Sequence, residues 1–308
     1  MKLLIVASYN KGHFAPFIEE QANALRRRGV ICDFFGIEGK GLRGYMRNIP
    51  ALRRKIRSFL PDVVHAHYGL SGLFANLQRE VPVVTTYHGS DINEKKVLLF
   101  SKICKRLSRY NIFVSQATLD IARPHRNYTL LPCGVDLDEL QLTEKAVARE
   151  KIGLEVDKKY VLFAGAFDNS VKNAPLAKEA VKLLPGTVLL ELKGYSREQV
   201  TLLMCATDAF LLTSKTEGSP QVVKEAMVCG CPIVSVDVGD VKERVQGIEG
   251  CYVAKTRDAV ELAELLKKAL HFGLRTLGRK RIEEDGLTND QVVEKLMKIY
   301  SLVIERRG

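Results

Sequence analysis

The sequence predicts an α/β protein made of two doubly wound parallel-sheet domains in tandem. Three observations point there. Apolar runs of strand length alternate with stretches of helical spacing from end to end, the β-α-β pattern of a parallel sheet with helices on both faces. The 308 residues suit two domains of ordinary size. A polar stretch after Pro132-Cys133-Gly134, running to about Lys158, interrupts the alternation once, as a linker would.

The elements follow in order. Lys2–Ala7 is the first strand. Pro16–Arg28 has Phe17, Ala22 and Leu25 at helical spacing and stops at Gly29, and Val30–Phe35 is the next strand. Asp62–Ala66, Val81–Tyr87 and Asn111–Ser115 are further strands, with helical stretches between them. Beyond the linker the strands are Tyr160–Ala164, Thr187–Leu192, Ala209–Thr213, Pro232–Val236 and Cys251–Ala254. Helices at about 174–184, 197–206, 220–229, 239–246 and 258–271 separate them. Thr288–Glu305 is a final helix with Val292, Leu296, Ile299, Tyr300 and Val303 on one side. Two such sheets are expected to leave a cleft, with ligands beyond the carboxyl ends of the strands.

Composition narrows the function classes. At 46% hydrophobic and 27% charged, the chain is not a disordered one. No run of about 18 apolar residues occurs, so no membrane-spanning helix is expected. The opening MKLLIVASYNKGHFAPF is too short in its apolar part for a secretory signal and lacks a small-residue cleavage site. Seven cysteines without a Cys-x-x-Cys pair read as free, mostly buried thiols in a reducing cytoplasm. Cys229-Gly-Cys231 is too closely spaced for a zinc site.

The net charge of +11 is uneven. Residues 1–150 hold 23 Lys/Arg against 14 Asp/Glu, a net +9, while the rest hold 24 against 22, a net +2. The basic residues cluster at Arg26-Arg27-Arg28, at Arg53 to Arg57, and at Lys102 to Arg109. Between Leu42 and Leu60, the apolar Ile49, Leu52, Ile56 and Phe59 recur at three- and four-residue steps among Arg43, Arg47, Arg53, Arg54, Lys55 and Arg57. That amphipathic helix either lies on an anionic membrane surface or turns its apolar stripe to the core with a solvated basic face. No zinc-finger spacing, RNP-like run or stacked aromatic pattern is present, so no nucleic-acid partner is expected.

The strongest motif is Thr213-Ser-Lys-Thr-Glu217-Gly-Ser-Pro-Gln221-Val-Val-Lys-Glu225-Ala-Met-Val-Cys-Gly-Cys-Pro-Ile-Val. It follows a strand and opens a helix, with Gly218 and Ser219 where the helix would begin and Pro220 as its first residue. Exposed N–H groups at a helix start favour an anion such as a diphosphate. Glu217 before the helix and Glu225 in its second turn are poor phosphate ligands and good acceptors for sugar hydroxyls.

This stretch resembles the Glu-x7-Glu motif of retaining glycosyltransferases with the GT-B fold, in the large family 4 (glycosyl transferases group 1). The resemblance extends over nearly the whole chain. Asp62-Val-Val-His65-Ala-His67, Thr86-Tyr-His88-Gly-Ser-Asp91, Phe113-Val-Ser115 and Leu131-Pro-Cys-Gly134-Val-Asp136 are similar to motifs of the family's first domain. Phe163-Ala-Gly165, then Val171-Lys172-Asn173, is similar to the first strand and phosphate loop of its donor domain.

The resemblance implies a Rossmann-like acceptor domain over residues 1–145 and a Rossmann-like nucleotide-sugar donor domain over 146–285. It also implies a C-terminal helix, 286–308, that crosses back to the first domain. Among catalytic residues, His88 would lie near the reacting sugar, Lys172 would neutralise the leaving diphosphate, and Glu217 would hold donor hydroxyls. Glu225 would hold the ribose hydroxyls, and the N–H groups around Ser219, Pro220, Gln221 and Val222 would meet sugar and phosphate. Gly165 and Gly218 belong to the same donor loops, Gly194 and Tyr195 would border the base, and Gly12 would let the first loop approach the diphosphate. Lys11, His13, His67 and Asp91 are candidates for the acceptor side. His65 and His67 alternate on a strand, so only one of them is expected to face the cleft.

The implied donor is a UDP- or GDP-sugar, with no metal and no further cofactor. Asp136-Leu-Asp138 resembles the metal-binding Asp-x-Asp of another glycosyltransferase fold, but it follows Pro-Cys-Gly-Val rather than a donor-site strand. The acceptor implied by the basic first half is anionic, a lipid-linked or cell-envelope glycan. The protein is expected in the cytoplasm or peripherally at the inner face of the membrane.

Two departures stand out. The family often has Gly-Gly where this chain has Lys11-Gly12-His13, and often an Arg where Ala166 follows Gly165. Losing one stabilising cation typically costs about 2.7–4 kcal/mol in the transition state. A catalytically degenerate nucleotide-sugar binder is therefore the alternative. A nicotinamide oxidoreductase is disfavoured, since no G-x-G-x-x-G follows the first strand.

Overall fold

The computed structural model describes residues 1–306, which form two compact units. Unit 1 is Met1–Gly134 together with the chain from Asn289 onward, and unit 2 is Val135–Thr288.

Unit 1 contains β1 (Lys2–Ser8), α1 (Pro16–Arg27), β2 (Ile31–Ile37), α2 (Gly41–Met46), α3 (Ile49–Phe59), β3 (Val63–His67) and α4 (Gly69–Asn76). It continues with β4 (Val83–Tyr87), α5 (Ser90–Asn93), α6 (Lys95–Leu107), β5 (Tyr110–Phe113), α7 (Gln116–Ala122) and β6 (Tyr128–Leu130). The strands form one parallel sheet in the order β2-β1-β3-β4-β5-β6. β3 and β4 are buried at every residue, because helices cover both faces. Successive β1 side chains serve opposite cores: Leu3 and Ile5 pack with Ile18, Ala22 and Leu25 of α1, while Leu4 and Val6 pack with Leu52 and Ile56 of α3 and Phe74 of α4.

The basic segment is thereby settled. Leu42–Leu60 is two helices, α2 and α3, broken around Asn48 with Pro50 in the first turn of α3. Leu52 and Ile56 are buried in the core, with Ile49 and Phe59 packed against it. The apolar stripe of α3 faces inward and is not available to a membrane. Its cations are solvated or paired: Arg57 with Glu80 at 3.0 Å, and Lys55 with Asp33.

The last helix, α15 (Asn289–Glu305), packs Val292, Val293, Leu296, Ile299, Tyr300 and Val303 into the α1 side of unit 1. A chain segment far along the sequence thus completes the first core.

Unit 2 contains α8 (Lys145–Ile152), β7 (Lys159–Phe163), α9 (Ala174–Lys182), β8 (Thr187–Glu191), α10 (Arg197–Ala206), β9 (Ala209–Leu212) and α11 (Gln221–Val228). It ends with β10 (Ile233–Val236), α12 (Val241–Val245), β11 (Tyr252–Ala254), α13 (Ala259–Phe272) and α14 (Gly278–Glu284). Its parallel sheet runs β11-β10-β9-β7-β8 around a single core.

The boundary expected at 145 lies at Gly134–Val135, and the expected linker is folded. Val135, Leu140 and Ala148 are buried in the second core. α8 is anchored by a buried ion pair, Arg149 Nη2 to Asp208 Oδ2 at 2.8 Å, and Asp208 also accepts the Tyr160 N–H at 2.7 Å. Buried polar groups persist where such partners are supplied. Hydropathy cannot see that pairing, so the segment reads as a linker.

Candidate functional site

Each sheet has a point where chain order reverses, and crevices for ligands form there beyond the strand ends. In unit 2 the reversal is between β7 and β9. The loops leaving these two strands, 164–173 and 213–220, carry Gly165, Lys172, Glu217, Gly218, Ser219 and Pro220 of the expected donor and catalytic residues.

Lys172 Nζ lies 2.7 Å from Glu217 Oε1, with each side chain about one-fifth exposed (19% and 17%). Several contacts hold the two loops together. Thr213 Oγ1 donates to the carbonyls of Lys172 and Asn173 at 2.9 and 3.0 Å, and the Lys215 N–H donates to the Val171 carbonyl at 2.8 Å. Arg257 braces the same loop through the Ser214 carbonyl at 2.8 Å. Gly165 leaves room for the Lys172 stem to cross the end of β7.

α11 begins at Gln221, one residue later than expected, with Pro220 as N-cap rather than first helical residue. Pro220 has ψ 116°, extended rather than helical, so the Gly218-Ser219-Pro220 turn stands before the helix. Glu225 is largely buried and accepts Arg197 Nη1 at 2.8 Å. Ser219 Oγ donates to the buried Asp240 Oδ2 at 2.8 Å. Burial pushes the Asp240 carboxyl up, against the opposing pull of Lys224, Ser219 and Arg244. Gly194 and Tyr195 stand in an exposed turn after β8, where Ser196 caps α10 through the Gln199 N–H.

In unit 1 the reversal is between β1 and β3. A cavity of about 510 Å³ opens there, lined by Ser8 at the end of β1 and Asn10, Lys11 and His13 after it, by Tyr68 and Ser71 after β3, and by Ser90, Asp91 and Glu94 after β4. Gly12, at φ +74°, makes the turn that presents Lys11 and His13. Asp91 borders the cavity, yet both its oxygens hold backbone. Oδ1 accepts the N–H groups of His88 and Gly89 at 3.0 Å each, and Oδ2 accepts that of Gly69 at 2.8 Å. Burial pushes its carboxyl up to about 6, opposed by these three donors.

Three histidines stack beside the cavity. His65 and His67 have ring centroids 4.5 Å apart, and His67 and His88 5.2 Å. This corrects the expectation that the two alternate so that only one faces the cleft: residues i and i+2 of a strand share a face, and neither histidine lines the cavity. Both are fully buried. His65 bonds Tyr300 and Thr86 at 2.7 Å each. His67 Nδ1 lies 3.1 Å from His88 Nε2, so one ring nitrogen donates and the other accepts. Half-buried His88 packs against the cavity-lining Tyr68, ring centroids 4.5 Å apart. His67 itself does not border the cavity.

Arg197, Asp240 and Tyr68 were not singled out from the sequence. Val236-Asp-Val-Gly-Asp240, a strand end running into a Gly-Asp turn, carries the one local signal among them. Asp136, half of the Asp-x-Asp pair, is buried and accepts the Asp138 N–H at 3.1 Å, the role of a turn residue. Among the described residues no three His, Cys, Asp or Glu side chains are grouped to hold a metal, and no helix is long and apolar enough to cross a membrane.

Residues 14–139 match the family model Glycosyltransferase Family 4, and residues 163–271 match that of Glycosyl transferases group 1. The putative teichuronic acid biosynthesis glycosyltransferase of Bacillus subtilis is 27% identical over 252 residues, 70% of this chain and 63% of that protein. The chain thus spans less than two thirds of that relative's length. A D-inositol 3-phosphate glycosyltransferase of Actinosynnema mirum is 26% identical over 350 residues, 92% of this chain and 84% of that one. Among solved structures, sucrose-phosphate synthase of Thermosynechococcus elongatus has a TM-score of 0.86 at 18% identity, covering 99% of this chain and 100% of that one. Anabaena HepE in complex with UDP has a TM-score of 0.75 at 15% identity, covering 98% and 100%. At such identities these structures speak for the fold.

Proposed function

The chain belongs to the family 4, group 1 glycosyltransferases of GT-B fold, and on that premise we propose a retaining, metal-independent transfer of a sugar from a UDP- or GDP-sugar to a hydroxyl acceptor. The acceptor is a glycan or glycolipid intermediate of cell-envelope polysaccharide synthesis, in keeping with the teichuronic acid relative. HepE, bound to UDP and to UDP-glucose in its crystals, supports a nucleotide-sugar donor.

The observation that carries this reading is the Lys172–Glu217 pair at the mouth of α11, 2.7 Å apart, with Glu225 in the helix behind it. It sets a cation for a leaving diphosphate beside a carboxylate for sugar hydroxyls. In the proposed reaction the diphosphate departs toward Lys172 and the N–H groups of Ser219, Gln221 and Val222, where helix-end dipoles favour negative charge. The departing phosphate oxygen takes the acceptor proton. Glu217 orients the donor, Glu225 holds the ribose, and the unit 1 cavity beside His88 takes the acceptor, with Lys11 and His13 at its rim.

The test is a thermal-shift panel of UDP- and GDP-sugars with EDTA present, followed by NMR of the product anomer. Ligand binding to the native state alone raises stability by about 2.7 kcal/mol at a hundredfold excess over Kd. A selective shift, turnover with EDTA, and an anomer matching the donor are expected. An inverted anomer or a strict metal requirement sinks the respective part, and full activity in Glu217→Ala sinks the site. Ala166 after Gly165 favours a second reading, a nucleotide-sugar binder without turnover. A nucleotide shift with no product from any donor would select it.

A further inference from the structure

Helix α6 of unit 1 turns a mixed row of side chains outward. Leu99, Ile103 and Leu107 recur at every fourth residue and are 62%, 42% and 42% exposed. Lys102 and Arg106 are exposed on the same face, interleaved with them at helical spacing. The other side of α6 is committed to the fold. Cys104 is fully buried, Ser101 Oγ donates to the Asp91 carbonyl at 2.7 Å, and Leu98 and Phe100 pack with Tyr87 and Phe113. A single exposed leucine is ordinary, but three in one helical row with cations between them make an amphipathic surface that the fold does not cover.

Charge selects what this surface meets. Residues 95–119 hold six Lys/Arg and no Asp or Glu. Among the described residues, Lys102 and Arg106 make no ion pair, unlike Lys55 and Arg57 on α3. Lys105, which donates to the Ala122 and Arg123 carbonyls, is pulled below its usual value by burial and then by Arg106 and Lys102. Positive charge is concentrated between Glu94 and Asp120, so the partner is anionic. The leucine and isoleucine row requires that it also be apolar beneath its charged layer.

We infer that the outer face of α6 docks on an anionic phospholipid bilayer. Leu99, Ile103 and Leu107 enter the boundary between headgroups and acyl chains, and Lys102 and Arg106 extend to the lipid phosphates. Glu94 and Val97, at the first turn of α6, line the unit 1 cavity, so docking holds that cavity close to the headgroups. The further step, that a lipid-linked acceptor reaches the cavity from the bilayer, rests on the transferase reading. The docking itself does not.

Flotation of the full chain with phosphatidylcholine vesicles, with and without phosphatidylglycerol, tests the docking in the absence of any nucleotide sugar. Binding to the anionic vesicles only, weakening as salt rises, is expected. Lys102→Gln/Arg106→Gln should weaken it roughly thirtyfold, the effect of two basic residues at such a surface. Leu99→Ser/Ile103→Ser/Leu107→Ser should abolish it, with circular dichroism and melting showing both variants folded. No flotation, or flotation unchanged in both variants, overturns the inference. So does a wild-type dimer that the triple-serine variant dissolves, since the row would then be a contact between copies. Failure of the transferase assay leaves the vesicle result standing, and failure of flotation leaves the donor site standing.

Discussion

Lys172 crosses Gly165 so closely that a Cβ at position 165 would lie 2.9 Å from Cγ of the lysine. The obstruction falls near the root of the lysine stem, so a small swing of the ammonium does not relieve it. Gly165→Ala should therefore move the Lys172 ammonium off Glu217. Because that ammonium is proposed to meet the leaving diphosphate, turnover should fall by roughly tenfold to a hundredfold, short of the 10²–10³ typical of deleting an electrostatic stabiliser outright. Steady-state kinetics beside a melting curve would check it. Unchanged kcat with a lowered Tm would mean that Gly165 serves packing alone.

Arg197 holds Glu225, its Nη1 donating to Oε1 at 2.8 Å, with the glutamate side chain only 9% exposed. Removing one partner of a mostly buried pair costs about 3–5 kcal/mol when burial is complete, and less where one side is wet as here. Arg197→Gln should lower Tm by a few degrees and weaken nucleotide binding about tenfold, since Glu225 loses the group that aims it. Titration calorimetry with UDP and GDP would read the binding. Glu225→Gln should weaken binding as well while costing less stability, because a neutral amide needs no cation. If Arg197→Gln left nucleotide affinity intact, Glu225 would not depend on it for position.

How far these features could be read beforehand depends on the physics of each. The central strands were plain because both faces are buried, which produces apolar runs such as Val63–Ala66 and Val81–Val84 with little alternation. The Glu217 to Glu225 spacing was plain because strand, turn and helix are all local. β6 was missed, being a three-residue edge strand that is half exposed. α8 was missed because Arg149 reads as solvent-facing until Asp208, distant in sequence, is seen to neutralise it. Arg197 and Asp240 belong to the donor loops only through contacts across 28 and 21 residues, which no local pattern records.

The Gly218-Ser219-Pro220 turn rests on the next loop of the sheet. Gly239 has φ +60°, and a Cβ there would come within 2.6 Å of the Gly218 carbonyl oxygen. Beside it, Asp240 accepts the Ser219 hydroxyl. Gly239→Ala meets both a left-handed backbone, costing about 1–2 kcal/mol for an ordinary residue, and a clash with main chain that cannot swing aside. Both Tm and donor affinity should fall together. Ser219→Ala keeps the backbone and removes only the bond to Asp240, so it should lower donor affinity with little change in Tm. Equal losses of stability in the two variants would assign the loop a folding role instead.

Burial in unit 1 pushes His65 from 6.5 down to about 3, and holds His67 well below its ordinary value, with His65 and His88 adding to the effect. An imidazole that refuses a proton when folded and takes one when unfolded makes the unfolded chain the proton binder between these limits. Its contribution to stability is therefore whole above about pH 6.5 and is lost as pH falls toward 3, at about 1.4 kcal/mol per pH unit for each such group. Asp91 acts in the opposite sense: with its carboxyl raised from 3.8 to about 6, it favours the fold at low pH and loses that advantage as pH rises through 6. The wild-type profile mixes the two, so the comparison that isolates the histidine is His65→Gln, whose amide can still bond Tyr300 and Thr86 but does not titrate. Urea midpoints measured from pH 7 to pH 4 should give a flatter stability curve for the variant, by about 1.4 kcal/mol per unit below pH 6.5. Parallel curves would mean that His65 takes up its proton in the folded protein as readily as in the unfolded chain, against its burial between Tyr300 and Thr86.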